Sequence, residues 1–595
     1  MATVVSKEHP AELADFSIDR RVLLVTVIAA LIGAAATGVA YLLVGLIALI
    51  SNAIFFQELS TNLRAVSGNH LGLWVIPIPA LGGLIIGLMA RYGSEKIRGH
   101  GIPEALEAIL IGRSRMSLKV AVLKPISSAI SIGTGGPFGA EGPIIMTGGA
   151  FGSLIAQAIH LTSSERKTLL VAGAAAGMTA IFNTPVAATL LAVELLLFEW
   201  RPRSLIPVAL ACAASDCCRL LFFPAGPLFP IAFHSVLPWR AVPIAVVIGL
   251  LCGGGSGLLT TLVYFFEDLF EHIPLHWMWW PVLGGLAVGV GGYFDPRVIG
   301  VGYDVIQSML DGRILGGSAL ALLVLKALVW SIALGSGTSG GVLAPLLIIG
   351  GALGATLHSV AGVGDVSLWV LVGMSAMMGG TMRSPFTAMI FGVELTNDVS
   401  ALPVLFAATI AADAVTVLLL RRSILTEKVA RRGLHISRDY TVDPFDVLRV
   451  REVMDAKIAA VPADMAVSEL SARISRGDEM LTRHQALPIV TGAGDLAGII
   501  TRGDLLRALD RAGGKEATVL DAGTKDVEVA YPDELLRDAV AKMLRRRVGR
   551  LPVVNARGSK QLIGYLGRSE LMAARQPRLL EEDVRESIWT AEVSA

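Results

Sequence analysis

The chain has 595 residues, 53% of them hydrophobic and only 17% charged, with a formal net charge of +1 and a mean hydropathy of +0.65. Soluble proteins carry nearer a quarter charged residues, so most of this chain is made for an apolar surrounding. So even a charge balance, with no basic stripe interleaved with aromatics, leaves out a nucleic-acid partner.

In chain order, residues 1–21 are polar and acidic and predict a cytoplasmic N-terminal segment, not a cleaved signal peptide. Residues 22–90 then hold only Glu58 and Arg64 as charges. The run over 22–50 is long enough to cross a bilayer, which takes about 20 residues. Further apolar runs begin near 71, 118, 168, 204, 241, 277, 316, 342, 366, 385 and 401, with irregular lengths and frequent cuts by Gly and Pro. In lipid, a non-helical backbone survives only where protein or a water-filled cavity surrounds it. Interrupted helices in such a chain therefore point to a transport site. Cys212, Cys217, Cys218 and Cys252 lie in apolar surroundings without metal-ligand spacing and are expected to be buried free thiols.

The stretch GTGGPFGAEGPII, residues 133–145, sets the bare carboxylate of Glu141 among five glycines and two prolines. An acid inside a membrane segment is functional by default; the alternative is a carboxylate that caps a helix. The stretch also belongs to an internal repeat. GAAAGMTAIFNTPVAATLLAVEL (173–195) aligns with GMSAMMGGTMRSPFTAMIFGVEL (373–395) at an offset of 200, pairing Pro185 with Pro385 and Glu194 with Glu394. VLKPISSAISIGTGGPFGAEGP (122–143) aligns with VLKALVWSIALGSGTSGGVLAP (324–345) at 202, pairing Lys124 with Lys326 and Gly139 with Gly341. GHG (99–101) meets GVG (300–302) at 201. Three segments in one order at a near-constant offset indicate two structural repeats, whose relative orientation stays open on these grounds.

After Arg421 the character changes. RRSILTEKVARRG is a basic exit helix that suggests a cytoplasmic face. Two soluble units follow, each with a short strand, a helix, LPIV or LPVV, a turn, GII or GYL, and a last helix, which reads as α/β.

GHGIPEA (99–105), GAEGP (139–143) and GGVLAP (340–345) together resemble the signature loops of the CLC family of chloride channels and proton/chloride antiporters, over roughly residues 20–435. The tail resembles a pair of CBS domains. The resemblance implies an all-α polytopic membrane domain of two inverted repeats with broken and re-entrant helices, followed by an α/β CBS pair. It implies chloride or a similar anion as substrate, protons in the coupled members, and a homodimer with one path per subunit. The physics agrees with it. An anion in a bilayer needs donors that do not hold it too tightly to leave. Helix N-termini supply N–H groups and a partial positive charge, and Gly-rich loops followed by Pro suit helix starts.

By the same match Glu141 is the gating glutamate and, in antiporters, the outer proton carrier. Gly99, His100, Gly101, Ile102, Pro103, Gly139, Ala140, Gly142, Pro143, Gly341, Val342 and Leu343 form the anion-binding loops, with Val342 and Leu343 supplying backbone amides. Lys124 raises the local potential without touching the anion, or else is a buried ion pair or an interface-facing lysine. Three positions depart from the family. His100 stands where a serine contacts the anion; a neutral imidazole donates N–H, a protonated one binds far harder, and one facing away leaves only backbone donors. Leu425 stands where a central tyrosine is expected. Leu195 stands where coupled members often carry an inner glutamate, while Glu194 and Glu394 read as structural groups bonded to backbone donors. Without an inner acid a proton lacks an obvious relay, which favours a channel or weak coupling. A strict antiporter with another inner relay is the alternative.

In the tail, TRGD (501–504) resembles the CBS pattern in which Thr501 meets a phosphate and Asp504 the ribose of an adenine nucleotide; GRSE (567–570) keeps a carboxylate at Glu570. RRRVGR (545–550) faces phosphates or is a solvated helix face. The expected domains are 22–435 for transport, a linker over 436–448, CBS domains over 449–512 and 513–576, and a tail over 577–595. The chain is placed in a cell inner membrane with cytoplasmic CBS domains and lipid around it, and no cofactor is required for transport. A CBS-regulated cation transporter would need an array of intramembrane carboxylates. An enzyme would need a nucleophile with a base or a metal pair; no metal site, ATP-binding loop, nucleophile elbow or HExxH is present. Neither reading fits these loops.

Overall fold

The structure is a computed structural model that describes residues 21–433, 445, 448–574 and 585–586, apart from 111, 113, 232–236, 238, 362–363, 483 and 512–515. Most of the expected N-terminal segment, linker and C-terminal tail lies outside the described residues. Two compact units emerge, Met1–Leu434 with Arg585–Ala595, and His435–Val584.

The first unit is helical. Among the described residues five helices are long and apolar enough to cross a membrane, and several apolar helices are shorter. They fall into two series in the same order. The first is Arg21–Phe55, Pro77–Tyr92, Ile102–Leu110, Leu118–Gly133, Glu141–Ala158, Ser163–Phe182, Pro185–Leu191 and Pro202–Arg219. The second is Ala241–Glu271, Trp280–Phe294, Tyr303–Leu310, Gly316–Gly335, Leu343–Ala361, Val366–Met382, Pro385–Thr396 and Leu402–Leu419. In each series the first helix packs on the eighth and the fifth on the sixth. Contacts between the series are reciprocal. A Cβ at Gly83 would stand 2.1 Å from the Pro281 carbonyl oxygen, and one at Gly285 2.2 Å from that of Pro79, so glycine alone lets these helices touch. Such pairing belongs to two repeats related by a two-fold axis, as inverted repeats require.

Local chemistry breaks the helices at matched points. Asn183 and Arg383 end their helices in the left-handed conformation, at φ 60° and 55°, and Pro185 and Pro385 open the next ones. A left-handed cap with a proline close behind cannot continue a helix. Cys212 and Cys252 are buried as expected, but Cys217 is exposed and Cys218 half-buried. The correction has a plain reason: a membrane helix is apolar on its outward face as well, so apolar neighbours do not mark burial.

The second unit holds both α/β elements. Ala486–Val490 pairs antiparallel with Leu496–Thr501 and parallel with Val461–Pro462. Arg550–Val554 pairs antiparallel with Leu562–Gly567. The two hairpins share a register shift at the same point, Ile489/Val490 and Val553/Val554. Each has its own apolar core, around Ile489 and Leu470 in one and Val553 and Leu536 in the other.

Candidate functional site

Three loops meet in the membrane unit through their backbones. Gly139 N–H donates to the Gly341 carbonyl at 3.3 Å and Gly341 N–H returns to the Gly139 carbonyl at 2.8 Å. Gly340 N–H donates to the Gly99 carbonyl at 3.4 Å, and a Cβ at Gly142 would stand 2.1 Å from the His100 carbonyl oxygen. Side chains at these glycines would wedge the loops apart. The helices Ile102–Leu110, Glu141–Ala158 and Leu343–Ala361 start from this junction. Pro103 and Pro143 lie in their first turns, where no N–H is missed. Gly101, Ile102, Ala140, Val342 and Leu343 are buried around them. Three helix N-termini in one place concentrate N–H donors and positive dipole ends.

Glu141 is fully buried there. Its Oε1 accepts from Ala344 N–H at 2.5 Å, in the first turn of the other repeat's helix, and the Leu343 amide also faces the carboxylate. Its Oε2 is buried without a hydrogen-bond partner. The group thus occupies N–H donors at a helix N-terminus, where backbone amides can hold an anionic group.

His100 is 2% exposed, its Nδ1 has no partner, and it lines a cavity of about 500 Å³. Lys124 is fully buried and donates to the carbonyls of Ile97 at 2.8 Å and Gly99 at 2.6 Å and to Ser339 Oγ at 3.0 Å. It forms neither an ion pair in these contacts nor an outward-facing lysine; it ties the 99–101 loop to the 339–343 loop. Leu425 is buried and offers no donor from its side chain. Glu194 accepts from the N–H groups of Phe386 and Thr387, and Glu394 from those of Val186 and Ala187, so each repeat caps a helix of the other. Leu195 is buried in the one-turn π-helix Ala192–Leu197.

Two residues escaped the sequence reading. Tyr264 lines the same cavity and donates its hydroxyl to the Ile424 carbonyl at 2.5 Å. Glu104 is buried and pairs with Arg432 at 2.8 Å and Lys428 at 3.6 Å. The acid two residues after GHGI and the basic exit helix were the signal for the second; nothing in the sequence marks the first.

In the CBS unit Thr501 and Asp504 bind each other. Thr501 Oγ1 donates to Asp504 Oδ2 at 2.6 Å, Asp504 N–H returns to Thr501 Oγ1 at 3.1 Å, and Arg507 holds the other oxygen. Burial pushes the Asp504 carboxyl up, but the Thr501 bonds and the Arg507 guanidinium outweigh it and hold it below the usual carboxylate range. Glu570 likewise accepts from Gly567 N–H at 2.7 Å. The hollow beside Thr501 holds about 10 Å³, room for one water and not for a nucleotide. Arg546, in the basic run, pairs with Glu528 at 3.0 Å.

A family profile described as "Voltage gated chloride channel" matches residues 82–417, and one described as "CBS domain" matches 450–511 and 519–576. A ClcB-like chloride channel protein of Ralstonia nicotianae is 29% identical over 330 residues, covering 54% of this chain and 77% of its own. An H(+)/Cl(-) exchange transporter ClcA of Salmonella arizonae is 27% identical over 346 residues, covering 55% and 72%. The crystal structure of a slow cyanobacterial Cl−/H+ antiporter superposes with a TM-score of 0.61 at 20% identity, over 70% of this chain and 99% of that one, which shows the fold. With its profile matched over more than half its length, its repeats paired and its three loops joined, this multi-pass membrane chain belongs to the voltage gated chloride channel, or CLC, family and carries a CBS pair behind the membrane unit.

Proposed function

We propose that the chain moves chloride or a similar small anion across its membrane past Glu141, and that Glu141 is both gate and outer proton carrier. One observation carries this reading: a buried carboxylate from one repeat sits on the N-terminal amide of Ala344 in the other, with its second oxygen unpartnered. When ionised, it competes with an anion for those amides. When protonated or displaced, it releases them. His100 and the backbone amides of Val342 and Leu343 are the inner contacts of the anion, and Lys124 keeps their loops in place.

Strict proton/anion exchange is the second reading. It is favoured by the carboxylates of Glu107 and Glu267 on the cavity wall, which offer a proton entry that does not need position 195. The chain works as a homodimer in this reading. The reciprocally capped helices expose Val186 and Phe386, and the helices that follow them expose Ile206, Leu210 and Phe406, an apolar face for a second copy. The CBS pair is cytoplasmic and regulates the path. An adenine nucleotide is its ligand only in a conformation that frees Asp504 from Thr501 and Arg507.

The test is chloride efflux from liposomes with external pH recorded together, for the wild type and Glu141→Ala. The wild type is expected to move chloride, and any accompanying proton uptake is expected to fall at least about tenfold in the variant, as the sole proton carrier at the gate is gone. No chloride movement by folded wild-type protein would count against transport. Proton uptake that persists in the variant would remove Glu141 from the proton path.

A further inference from the structure

The cavity beside His100 is lined by charged side chains of both signs, Glu107, Glu267 and Lys428 among them, and by four uncharged side chains with a hydrogen to donate: His100, Tyr264, Trp277 and Trp280. The two tryptophans are covered by Arg98, whose guanidinium stands 4.8 Å and 5.5 Å from their ring centres. His100 belongs to the loops already described. Tyr264 has no part in them. It lies near the end of the Ala241–Glu271 helix, is 6% exposed, and reaches the first residue of the Ile424–Arg431 exit helix with its hydroxyl. The Arg431 guanidinium stands 4.6 Å over its ring and pairs with Asp268, one turn further along the helix that carries Tyr264. The ring is therefore clamped in place while the hydroxyl points at the junction of cavity and exit helix.

This placement suits an exchangeable donor. A carbonyl oxygen has two lone pairs, and in the first turn of a helix one of them serves the helix ladder. The phenol's bond to Ile424 is the second, so giving it up leaves no bare acceptor. A neutral O–H holds an anion without formal charge, weakly enough for it to leave. Leu425, next along the exit helix, supplies no side-chain donor that would do the same work.

We propose that Tyr264 is the inner gating donor of the anion path: its hydroxyl leaves the Ile424 carbonyl, bonds an anion passing between the cavity and His100, and returns when the anion has gone. This inference rests on the transport reading above. The variant Tyr264→Phe keeps the ring under Arg431 and removes only the hydroxyl. Chloride binding by the detergent-purified full chain, read by isothermal titration, is expected to weaken about fivefold, the size of one net hydrogen bond. In liposomes the chloride concentration at half-maximal flux is expected to rise by the same factor, with the maximal flux kept within about twofold. Unchanged binding and unchanged half-maximal concentration would overturn the proposal and leave Tyr264 as packing. A fall in maximal flux with unchanged binding would overturn it too, since that is the mark of a purely structural role. Wild-type protein that neither binds nor moves chloride would take down the transport reading itself, and this inference with it.

Discussion

Glu141 in the first repeat and Leu343 in the second stand at the same point of the same loop, 202 residues apart. His100 and Val301 are a second such pair, at 201. The backbones around them are treated alike: Gly139 and Gly341 exchange hydrogen bonds, and Lys124 and Lys326 are both fully buried and bonded to backbone carbonyls. The side chains are not alike. Symmetry brings helix N-termini to one place, and in the proposed function the unmatched acid makes the first repeat's loop the gate. A second carboxylate at 343 would add a like charge to the same buried junction, and two carboxylates sharing one site do not readily both ionise. In the proposed function, one acid on a two-fold frame lets the site empty and fill.

The sharpest way to break that comparison is through the two lysines. Lys124 has three acceptors and spans two loops of the site, whereas Lys326 donates to the Val298 carbonyl at 2.8 Å, within its own repeat. Lys124→Met strands the buried carbonyl of Ile97, at about 1–3 kcal/mol for a group left unsatisfied, while the Gly99 carbonyl keeps its bond from Gly340 N–H. It also frees the 99–101 loop. Chloride flux in liposomes should fall at least about tenfold, beyond what lowered stability accounts for. Lys326→Met should lower the melting temperature as well but leave flux within about threefold. Equal loss of flux in both would mean that the loops are functionally equivalent and that the asymmetry resides in Glu141 alone.

The reciprocal caps give a milder test. Glu194 bonds two amides and the Thr387 hydroxyl, the last at 2.6 Å, while Glu394 bonds two amides. Replacing a capping carboxylate with alanine costs about 1–2 kcal/mol. Thermal unfolding in detergent should rank Glu194→Ala below Glu394→Ala. The double variant should lose less than the sum, because each cap holds the helix that presents the other. Flux at low temperature should be unchanged. A large change in proton coupling in either variant would show that these acids also carry protons.

How much of this was legible follows from where the constraint lies. The repeat was visible over 99–195 because its loops need Gly, Pro and one acid at fixed points, and these survive alignment. The first helices of the two series, Arg21–Phe55 and Ala241–Glu271, were not paired by sequence, because lipid-facing apolar residues carry no register. Ser163–Phe182 and Val366–Met382 are buried on nearly all sides, so no polar stripe marks their boundaries. Glu194 and Glu394 could be read as caps from their place in the repeat. Tyr264 could not be read at all, since its meaning depends on a carbonyl 160 residues away. The CBS residues were read by pattern, and pattern does not say whether Thr501 and Asp504 point at a ligand or at each other.

That last ambiguity yields the smallest effect and contrasts the soluble unit with the membrane one. Asp504 is free to titrate against water, so its cap is a pH-dependent term. Its carboxyl is held below the usual range by Thr501 and Arg507 against the opposing effect of burial. A carboxyl lowered by folding stabilises the native state above its unfolded value of about 3.9 and loses that contribution as the pH falls through the folded value. Asp504→Asn should therefore lower stability slightly at pH 7, by no more than about 1 kcal/mol for a partly exposed cap and ion pair. It should make no difference once the pH is below the folded value. The measurement is the melting of the CBS transition in the full chain from pH 7 down to pH 3, wild type against variant. A gap that closes on acidification confirms that Asp504 is spent on its own helix. A gap that appears only with adenine nucleotide present would mean that the cap opens and that Asp504 serves a ligand.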